Sequence, residues 1–203
     1  MDPTRTTAVL LAAGAGTRLG AGPKALLPHR GRPLVETIAS TLLEGGCHDV
    51  VIVLGAGAST VMASAKINPY RVVVNHKWPS GMGSSYLAGA NSTALTDHLL
   101  VALVDQPHLT VGTVSRLLNS HRPGRITAAG YTPVGLRRGL HRGHPIVIDS
   151  SLREAVASTV VGDAGARKFL LDNPQLVDIV DCSDESTGED IDTVEQMKRL
   201  LYE

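Results

Sequence analysis

The stretch LLAAGAGTRLGAGPKALLP, residues 10–28, concentrates glycine and positive charge between two apolar runs. Gly14 and Gly16 would let backbone N–H groups approach an anion closely, because no Cβ stands in the way. Arg18 and Lys24 would add positive charge to the same anion. Such a set suits a triphosphate that loses pyrophosphate, since negative charge grows on the leaving group during that reaction.

Two common phosphate-binding motifs do not describe this stretch. The dinucleotide motif G-x-G-x-x-G fails at its third glycine, because Leu19 stands there and Gly20 comes one residue late. That motif also expects an acidic residue after the second apolar run, whereas VIVLG continues into AGAST. The P-loop motif fails as well, since alanine follows Lys24 where serine or threonine is needed. The stretch therefore predicts a phosphate-binding loop of another kind.

Carboxylates that could hold a metal ion occur at two places. Asp105 follows the apolar run 98–104, and open α/β sheets bind ligands at the carboxyl ends of their strands. Mg²⁺ prefers one or two carboxylates plus water, so Asp105 fits a metal site, although an aspartate shortly before a proline is also a common turn residue. Asp190 and Asp192 flank one residue. On an extended segment their side chains would share a face, whereas at a helix start one would act as N-cap.

A third group of polar residues is basic. Five cationic or imidazole side chains fall within eight residues: Arg137, Arg138, His141, Arg142 and His144. A metal site is disfavoured because no acid or cysteine accompanies them. A solvated basic loop and an anion-binding loop both remain open as interpretations.

These residues need a scaffold that brings strand ends together. Four apolar runs are continuous, as expected for strands covered on both faces: residues 7–13, 49–55, 70–75 and 98–104. Helical stretches follow them at residues 33–46, 58–66, 84–95 and 110–121. The second half predicts two strands within 125–149, helices at 151–158 and 165–173, a strand at 175–181, and a helix at 192–202 with Asp192 or Thr193 as N-cap. This order predicts a three-layer α/β/α sandwich around a mostly parallel, mixed sheet.

Length and composition limit the classes of function. The 203 residues, 43% of them hydrophobic, predict one globular domain. The formal net charge is zero and 3% of the residues are aromatic, so neither nucleic acid nor a membrane surface is an expected partner. Cys47 and Cys182 match no zinc or redox spacing and are expected to be buried thiols. The apolar N-terminal run lacks a preceding cationic segment, so we expect a first strand and a cytoplasmic protein.

The opening stretch resembles the signature L-A-[AG]-G-x-[GS]-x-R-[ML]-G-x-P-K-x-L of MobA-like nucleotidyltransferases, which have a GT-A-type fold. Three more stretches are similar to motifs of that family: LLVALVDQPHLT, WPSGMGSSYLAG and RGHPIVI. GDAGARKFL and DIDTVEQM resemble its last two blocks, so the resemblance covers nearly the whole chain and is nearest to the molybdenum cofactor cytidylyltransferases. One additional residue separates Gly20 from Pro23, which bears on the direction of Lys24.

The resemblance implies a role for each motif. The first loop would bind a nucleotide through Leu11, Ala12, Ala13, Gly14, Gly16, Arg18 and Lys24. The helix start would lie against base and ribose through Gly81, Gly83, Ser84 and Ser85, with Asn75 as a further candidate. Catalysis would depend on Arg18, Lys24 and Asp105, and Mg²⁺ (or Mn²⁺) would be bound by Asp105 and Asp192. The acceptor molybdopterin carries a phosphate monoester, which the arginine-rich loop with Arg137, Arg138, Arg142 and His144 would hold. The segment with Asp163 and Arg167 would close over the same substrate.

The expected reaction is transfer of CMP from CTP to the phosphate of a molybdopterin-type cofactor, with release of pyrophosphate. Residues 6–110 would form the nucleotide-binding half of a single domain, 1–203, and residues 111–203 the acceptor-binding half. Cytosine is expected because Ala13 stands where guanylyl-transferring relatives typically carry glycine. Two alternatives remain open: a sugar-phosphate nucleotidyltransferase, and a non-catalytic factor that delivers the cofactor to a molybdenum hydroxylase.

Overall fold

The computed structural model describes residues 5–17, 19–20, 22–132 and 139–200. Three residues expected to bind anions, Arg18, Arg137 and Arg138, therefore lie outside the described residues. The strands are β1 Thr6–Ala12, β2 Pro28–His29, β3 Arg32–Pro33, β4 Asp49–Leu54, β5 Arg71–Val74, β6 His98–Leu103, β7 Ile126–Tyr131, β8 His141–Ile148 and β9 Val177–Asp181. The helices are α1 Leu34–Glu44, α2 Ala58–Ser64, α3 Met82–Ala90, α4 Val111–Ser120, α5 Arg153–Ser158, α6 Arg167–Asp172 and α7 Val194–Leu200.

A seven-stranded sheet in the order β5-β4-β1-β6-β8-β7-β9 forms the middle layer, and β2 and β3 form a separate hairpin. All paired strands of the large sheet run parallel except β8, which is antiparallel to both neighbours. One face packs against α1, α2, α4 and α7, and the other against α3, α5 and α6. The expected three-layer sandwich with a mostly parallel, mixed sheet is thus confirmed.

The continuous apolar runs follow from this layering. All seven residues of β1 are buried, with Leu10 directed to one helix layer and Val9 and Leu11 to the other. A strand between two helix layers has no solvent-facing side, so alternation of polar and apolar residues disappears. Both cysteines are buried, free thiols, as expected, and burial raises the pKa of Cys47 to about 12. Among the described residues, no helix has the length and apolar character that crossing a membrane requires.

One helix, α3, ends earlier than expected, and the structure decides which residue caps α7. The helix α3 ends at Ala90, well before residue 95, because the hydroxyls of Ser92 and Thr93 donate to carbonyls of the last turn and terminate it. At α7, the Thr193 hydroxyl accepts from the Gln196 N–H while the Gln196 side chain accepts from the Thr193 N–H. This capping box makes Thr193 the N-cap and leaves the Asp192 side chain for another contact.

One edge of the sheet collects the strand ends that matter for function. The carboxyl ends of β1, β4, β5 and β6 lie there, because these strands are parallel. The start of β8 lies at the same edge, because β8 runs in the opposite direction. Strands from both halves of the chain pair within the one sheet, since Leu99 and Val101 of β6 pair with Ile148 and Ile146 of β8.

Candidate functional site

The loop after β1 leaves its backbone open toward a cleft. Gly14 is exposed, and a Cβ added to it would meet no atom within 4 Å. Gly16 has a φ of +62°, and a Cβ there would lie 2.3 Å from the carbonyl oxygen of Gly22. The second glycine is therefore required by the close crossing of the loop on itself, whereas the first provides free space beside the backbone.

The ammonium of Lys24 connects two distant parts of the chain. Its Nζ donates to Asp105 Oδ2 and to Asp192 Oδ1, both at 2.8 Å. The Ile191 N–H donates to the Asp105 carbonyl oxygen at 2.9 Å, which places the segment before α7 beside the end of β6. Burial lowers the pKa of Lys24, but the hydrogen bonds and charges of the two carboxylates outweigh it and raise the pKa above its usual value. Lys24 therefore points into the cleft despite the additional residue before Pro23.

A third carboxylate faces the same place. Asp190 lines the cleft with Lys24 and Asp105, and its Oδ1 accepts from Gln106 Nε2 at 2.9 Å. Its pKa is raised, first by the loss of solvent around it and then by the charge of Asp105. Several carboxylate oxygens facing one cation form the donor set that Mg²⁺ and Mn²⁺ prefer, so the residues present fit a divalent metal.

The cleft has a volume of about 470 Å³. Of the residues expected to bind nucleotide or metal, it is lined by Leu11, Ala13, Gly14, Gly16, Lys24, Gly81, Ser85 and Asp105. Its other wall contains Trp78, Pro79 and Met82, which sequence reasoning did not select. The available signal was that Trp78 is the single tryptophan of the chain and lies three residues before the Gly-Met-Gly segment.

Five further candidates are not among the residues that line this cleft: Ala12, Asn75, Gly83, Ser84 and Asp192. Asp192 is connected to the cleft through its hydrogen bond with Lys24. Asn75 is buried at the end of β5, and its Nδ2 donates to the hydroxyls of Ser84 at 2.8 Å and Ser85 at 3.0 Å. A Cβ on Gly83 would lie 2.7 Å from the Gly162 carbonyl oxygen. These residues fix the start of α3 against β5 and against the 3-10 turn Gly162–Ala164.

A second cavity of about 380 Å³ adjoins the first and shares Leu11, Met82 and Asp163 with it. Four residues expected to bind the acceptor line it: Arg142, His144, Asp163 and Arg167. Within the described part of the chain, no carboxylate forms an ion pair with Arg142 or Arg167. The rest of the wall is apolar and aromatic, including Tyr86, Ile146 and Leu170.

Electrostatics in the second cavity favour an incoming anion. Burial, and then the charge of Arg167, lowers the pKa of Arg142. Burial lowers the pKa of His144 to about 4, although the charge of Asp105 opposes the shift. His144 is therefore neutral near pH 7, and its carbonyl oxygen accepts from the Tyr131 hydroxyl at 2.8 Å. Two guanidinium groups with like charges facing one cavity are stabilised by a bound anion such as a phosphate monoester.

A glycine-rich loop beside carboxylates that surround a cation, at the carboxyl edge of this mixed sheet, indicates the nucleotidyltransferase class. The chain belongs to the MobA-like NTP transferase domain family, whose model matches residues 8–178. The resemblance seen in the sequence motifs is thereby confirmed.

Two relatives and one solved protein are most informative. The chain is 69% identical over 195 residues to nicotine blue oxidoreductase of Paenarthrobacter nicotinovorans, covering 96% of each chain. It is 30% identical over 200 residues to molybdenum cofactor guanylyltransferase of Xanthomonas euvesicatoria pv. vesicatoria, covering 97% of this chain and 95% of that one. Rv0371c of Mycobacterium tuberculosis H37Rv superposes with a TM-score of 0.82 at 25% identity, covering 99% and 100% of the two chains. Its manganese complex superposes with a TM-score of 0.78 at 25% identity over 98% of each chain.

Proposed function

We propose that this nucleotidyltransferase transfers CMP from CTP to the phosphate of a molybdopterin-type cofactor. The observation that carries the proposal is that Lys24 and Asp105 line the same cleft as the open backbone of Gly14, and that Lys24 also donates to Asp192. A triphosphate lying along the loop brings its phosphates next to this charged group, and the second cavity supplies a separate anion site for the acceptor.

The reaction needs no side-chain nucleophile. An oxygen of the acceptor phosphate attacks the α-phosphorus of CTP, a P–O bond forms, and the bond between the α-phosphorus and the bridging oxygen breaks. Pyrophosphate leaves with the electron pair of that bond, and a cytidine diphosphate linkage remains. Because both reactants are already anionic, the chain contributes positioning and neutralisation of charge.

Asp105 and Asp192 would hold Mg²⁺, with Asp190 beside them. When bound, the ion supplies positive charge that neutralises the phosphate oxygens. Lys24 then exchanges its two carboxylates for oxygens of the leaving pyrophosphate, and we expect Arg18 to face the same group. On the acceptor side, Arg142, Arg167 and neutral His144 would hold the phosphate monoester, and the apolar wall would contact the flat ring system.

The preference for cytosine depends on Ala13. Ala13 lines the cleft, and its methyl group lies against Gly55, at which a Cβ would be 2.8 Å away. The methyl narrows the space at the end of β1, which favours a pyrimidine over a purine by roughly 1–3 kcal/mol. The product would serve a molybdenum hydroxylase, and we place the reaction in the cytoplasm.

The test measures pyrophosphate release with CTP, GTP and ATP, in the presence of Mg²⁺ and molybdopterin. We expect kcat/KM for CTP to exceed that for GTP by tens-fold. Asp105→Asn should lower turnover by about 10²–10³ at unchanged circular dichroism, the scale of losing one group that stabilises the transition state. Asp192→Asn should be milder, because a carbonyl oxygen can still ligate the ion. Preference for a purine, or full turnover by Asp105→Asn, would contradict the proposal.

A second candidate function, reduction of a dye, is favoured by the 69% identity to nicotine blue oxidoreductase. Such a reaction needs a two-electron donor, and a reduced nicotinamide nucleotide would have to bind in the same nucleotide cleft and transfer a hydride to a dye in the second cavity. The apolar and aromatic wall of that cavity suits a flat dye. Reduction of a dye does not require Asp105 and Asp192, the carboxylates that face Lys24.

Two assays on the same preparations separate the candidates. One follows bleaching of nicotine blue with NADH or NADPH, and the other follows pyrophosphate release. Nucleotidyl transfer predicts that Asp105→Asn lowers pyrophosphate release by about 10²–10³ and that dye bleaching does not exceed a protein-free control. Dye bleaching that survives Asp105→Asn, without pyrophosphate release from any nucleotide, would establish the oxidoreductase instead. If the unmodified protein catalysed neither pyrophosphate release nor dye bleaching, the non-catalytic delivery factor would be favoured.

A further inference from the structure

Two histidines and an aspartate meet at the edge of the sheet opposite the cleft. His98 begins β6, His121 follows the last turn of α4, and Asp149 follows the end of β8. The length of β6 separates this cluster from Asp105, a distance of roughly 20 Å. The proposed nucleotidyl transfer therefore does not use these three residues.

The carboxylate lies between the two rings. Asp149 Oδ2 is 3.4 Å from His98 Nδ1 and 3.7 Å from His121 Nε2, and one candidate ligand atom from each residue lies within 4.8 Å of the others. In a tetrahedral zinc site with bonds of about 2.0–2.1 Å, two ligand atoms are about 3.4 Å apart. The cluster thus needs only a small adjustment to surround one ion.

His121 provides an independent sign of a missing ligand. Its side chain is 7% exposed, and its Nε2 is buried without a hydrogen-bond partner among the described residues. Its Nδ1 is 2.9 Å from the Thr127 hydroxyl, which fixes the ring with Nε2 directed toward Asp149. At 3.7 Å its contact with Asp149 Oδ2 is too long for a normal hydrogen bond, so an ion that bonds to both atoms would be stabilising.

We propose that His98, His121 and Asp149 form a second metal site, which binds a transition-metal dication of the Zn²⁺ type. Two imidazole nitrogens and one carboxylate oxygen favour Zn²⁺, Co²⁺ or Ni²⁺ over Mg²⁺, which prefers oxygen ligands only. A fourth position is open to water. The ion would connect β6, α4 and the end of β8, so its role is to stabilise the fold at this edge.

One surrounding group orients the site, and another competes with the ion for a ligand atom. Asp149 Oδ1 accepts from the Ser151 N–H at 2.9 Å, which orients the carboxylate and leaves Oδ2 toward the rings. His98 Nδ1 accepts from the Ser150 N–H at 2.9 Å, so this nitrogen carries no proton, and an ion would replace that hydrogen bond. Two surface clefts reach the cluster, one bordered by His98 and His121 and the other by His98 and Asp149. An ion can therefore enter from solvent.

The test titrates metal-free full-length protein with Zn²⁺ by calorimetry and with Co²⁺ by visible absorption. Zn²⁺ can also bind the carboxylates near Lys24, so both titrations are repeated in Asp105→Asn. His121→Gln and Asp149→Asn remove ligands with little change of shape. His48→Ala is the matched control, because His48 is an exposed histidine at the same edge of the sheet.

We expect one equivalent of Zn²⁺ that persists in Asp105→Asn and in His48→Ala. Its affinity should fall at least tenfold in His121→Gln and in Asp149→Asn, and Co²⁺ should give the absorption of a tetrahedral nitrogen–oxygen site. Zn²⁺ should also raise the melting temperature of the unmodified protein and not that of His121→Gln. Equal Zn²⁺ affinity in His121→Gln, or loss of all binding in Asp105→Asn, would overturn the proposal. Neither result depends on whether CTP is the substrate.

Discussion

The ammonium of Lys24 lies between Asp105 and Asp192, which we propose as the ligands of a divalent metal ion. The ammonium neutralises the two carboxylates while no nucleotide is bound, and a divalent cation must compete with it. We therefore expect Lys24→Met to raise the affinity of the nucleotide-free protein for Mn²⁺ by about tenfold, since two carboxylates lose their counter-ion. Electron paramagnetic resonance of Mn²⁺ measures this directly.

A matched control for this variant is Lys168→Met, because Lys168 forms an exposed ion pair with Asp172 away from the cleft. Its Mn²⁺ affinity should equal that of the unmodified protein. Unchanged or weaker Mn²⁺ binding by Lys24→Met would show that Lys24 does not hold the metal position.

His144 predicts the direction in which acid changes stability. Its pKa falls from 6.5 to about 4 on folding, mainly through burial. Between these two pH values the unfolded chain binds more protons at His144 than the folded chain does. The free energy of unfolding therefore has its full value above about pH 6.5 and decreases as the pH falls toward 4. The loss is at most about 3 kcal/mol. The free energy of unfolding, measured with urea at pH 7 and pH 4.5, should decrease less in His144→Asn than in the unmodified protein. An equal decrease in both proteins would contradict the role given to His144.

At the scale of elements, two glycines of the site predict opposite effects. Gly14 has free space beside it, so Gly14→Ala should leave the urea midpoint nearly unchanged and weaken CTP binding by about tenfold or more, equal to about 1.4 kcal/mol. Gly83 contacts the turn Gly162–Ala164, so Gly83→Ala should cost about 1–3 kcal/mol of stability. Urea unfolding and calorimetric titration of both variants check the pair. If Gly14→Ala were destabilised but bound CTP with normal affinity, Gly14 would serve stability and not nucleotide binding.

The order of strands predicts that the two halves do not fold separately. A fragment of residues 1–110 would expose the edge of β6 that pairs with β8, together with the apolar side chains that α5 and α6 cover. We expect this fragment to lack a cooperative urea transition and to regain one when residues 111–203 are supplied as a second chain. Circular dichroism during urea titration is the measurement. A cooperative transition of the isolated fragment would show two independent domains.

The sequence was most informative where local pattern and topology agree. Continuous apolar runs predicted a parallel sheet, and parallel strands end at one edge, so the proximity of Gly14 and Asp105 could be expected. Trp78 could not be assigned to the cleft, because one residue in a turn carries no periodic signal. The cluster of His98, His121 and Asp149 was not found, since its members are separated by 23 and 28 residues and match no motif spacing.

The antiparallel direction of β8 determines where insertions and deletions in the sequence can be tolerated. One strand leads from His144 in the second cavity to Ile148, and Asp149 follows it at the opposite edge of the sheet. A slip of two residues in its pairing would keep the apolar side chains in the core but move both residues by about 7 Å along the sheet. The interior would tolerate that slip, whereas both sites would lose their geometry. Insertions and deletions should therefore accumulate in the connection between β7 and β8 and remain rare within β8 itself.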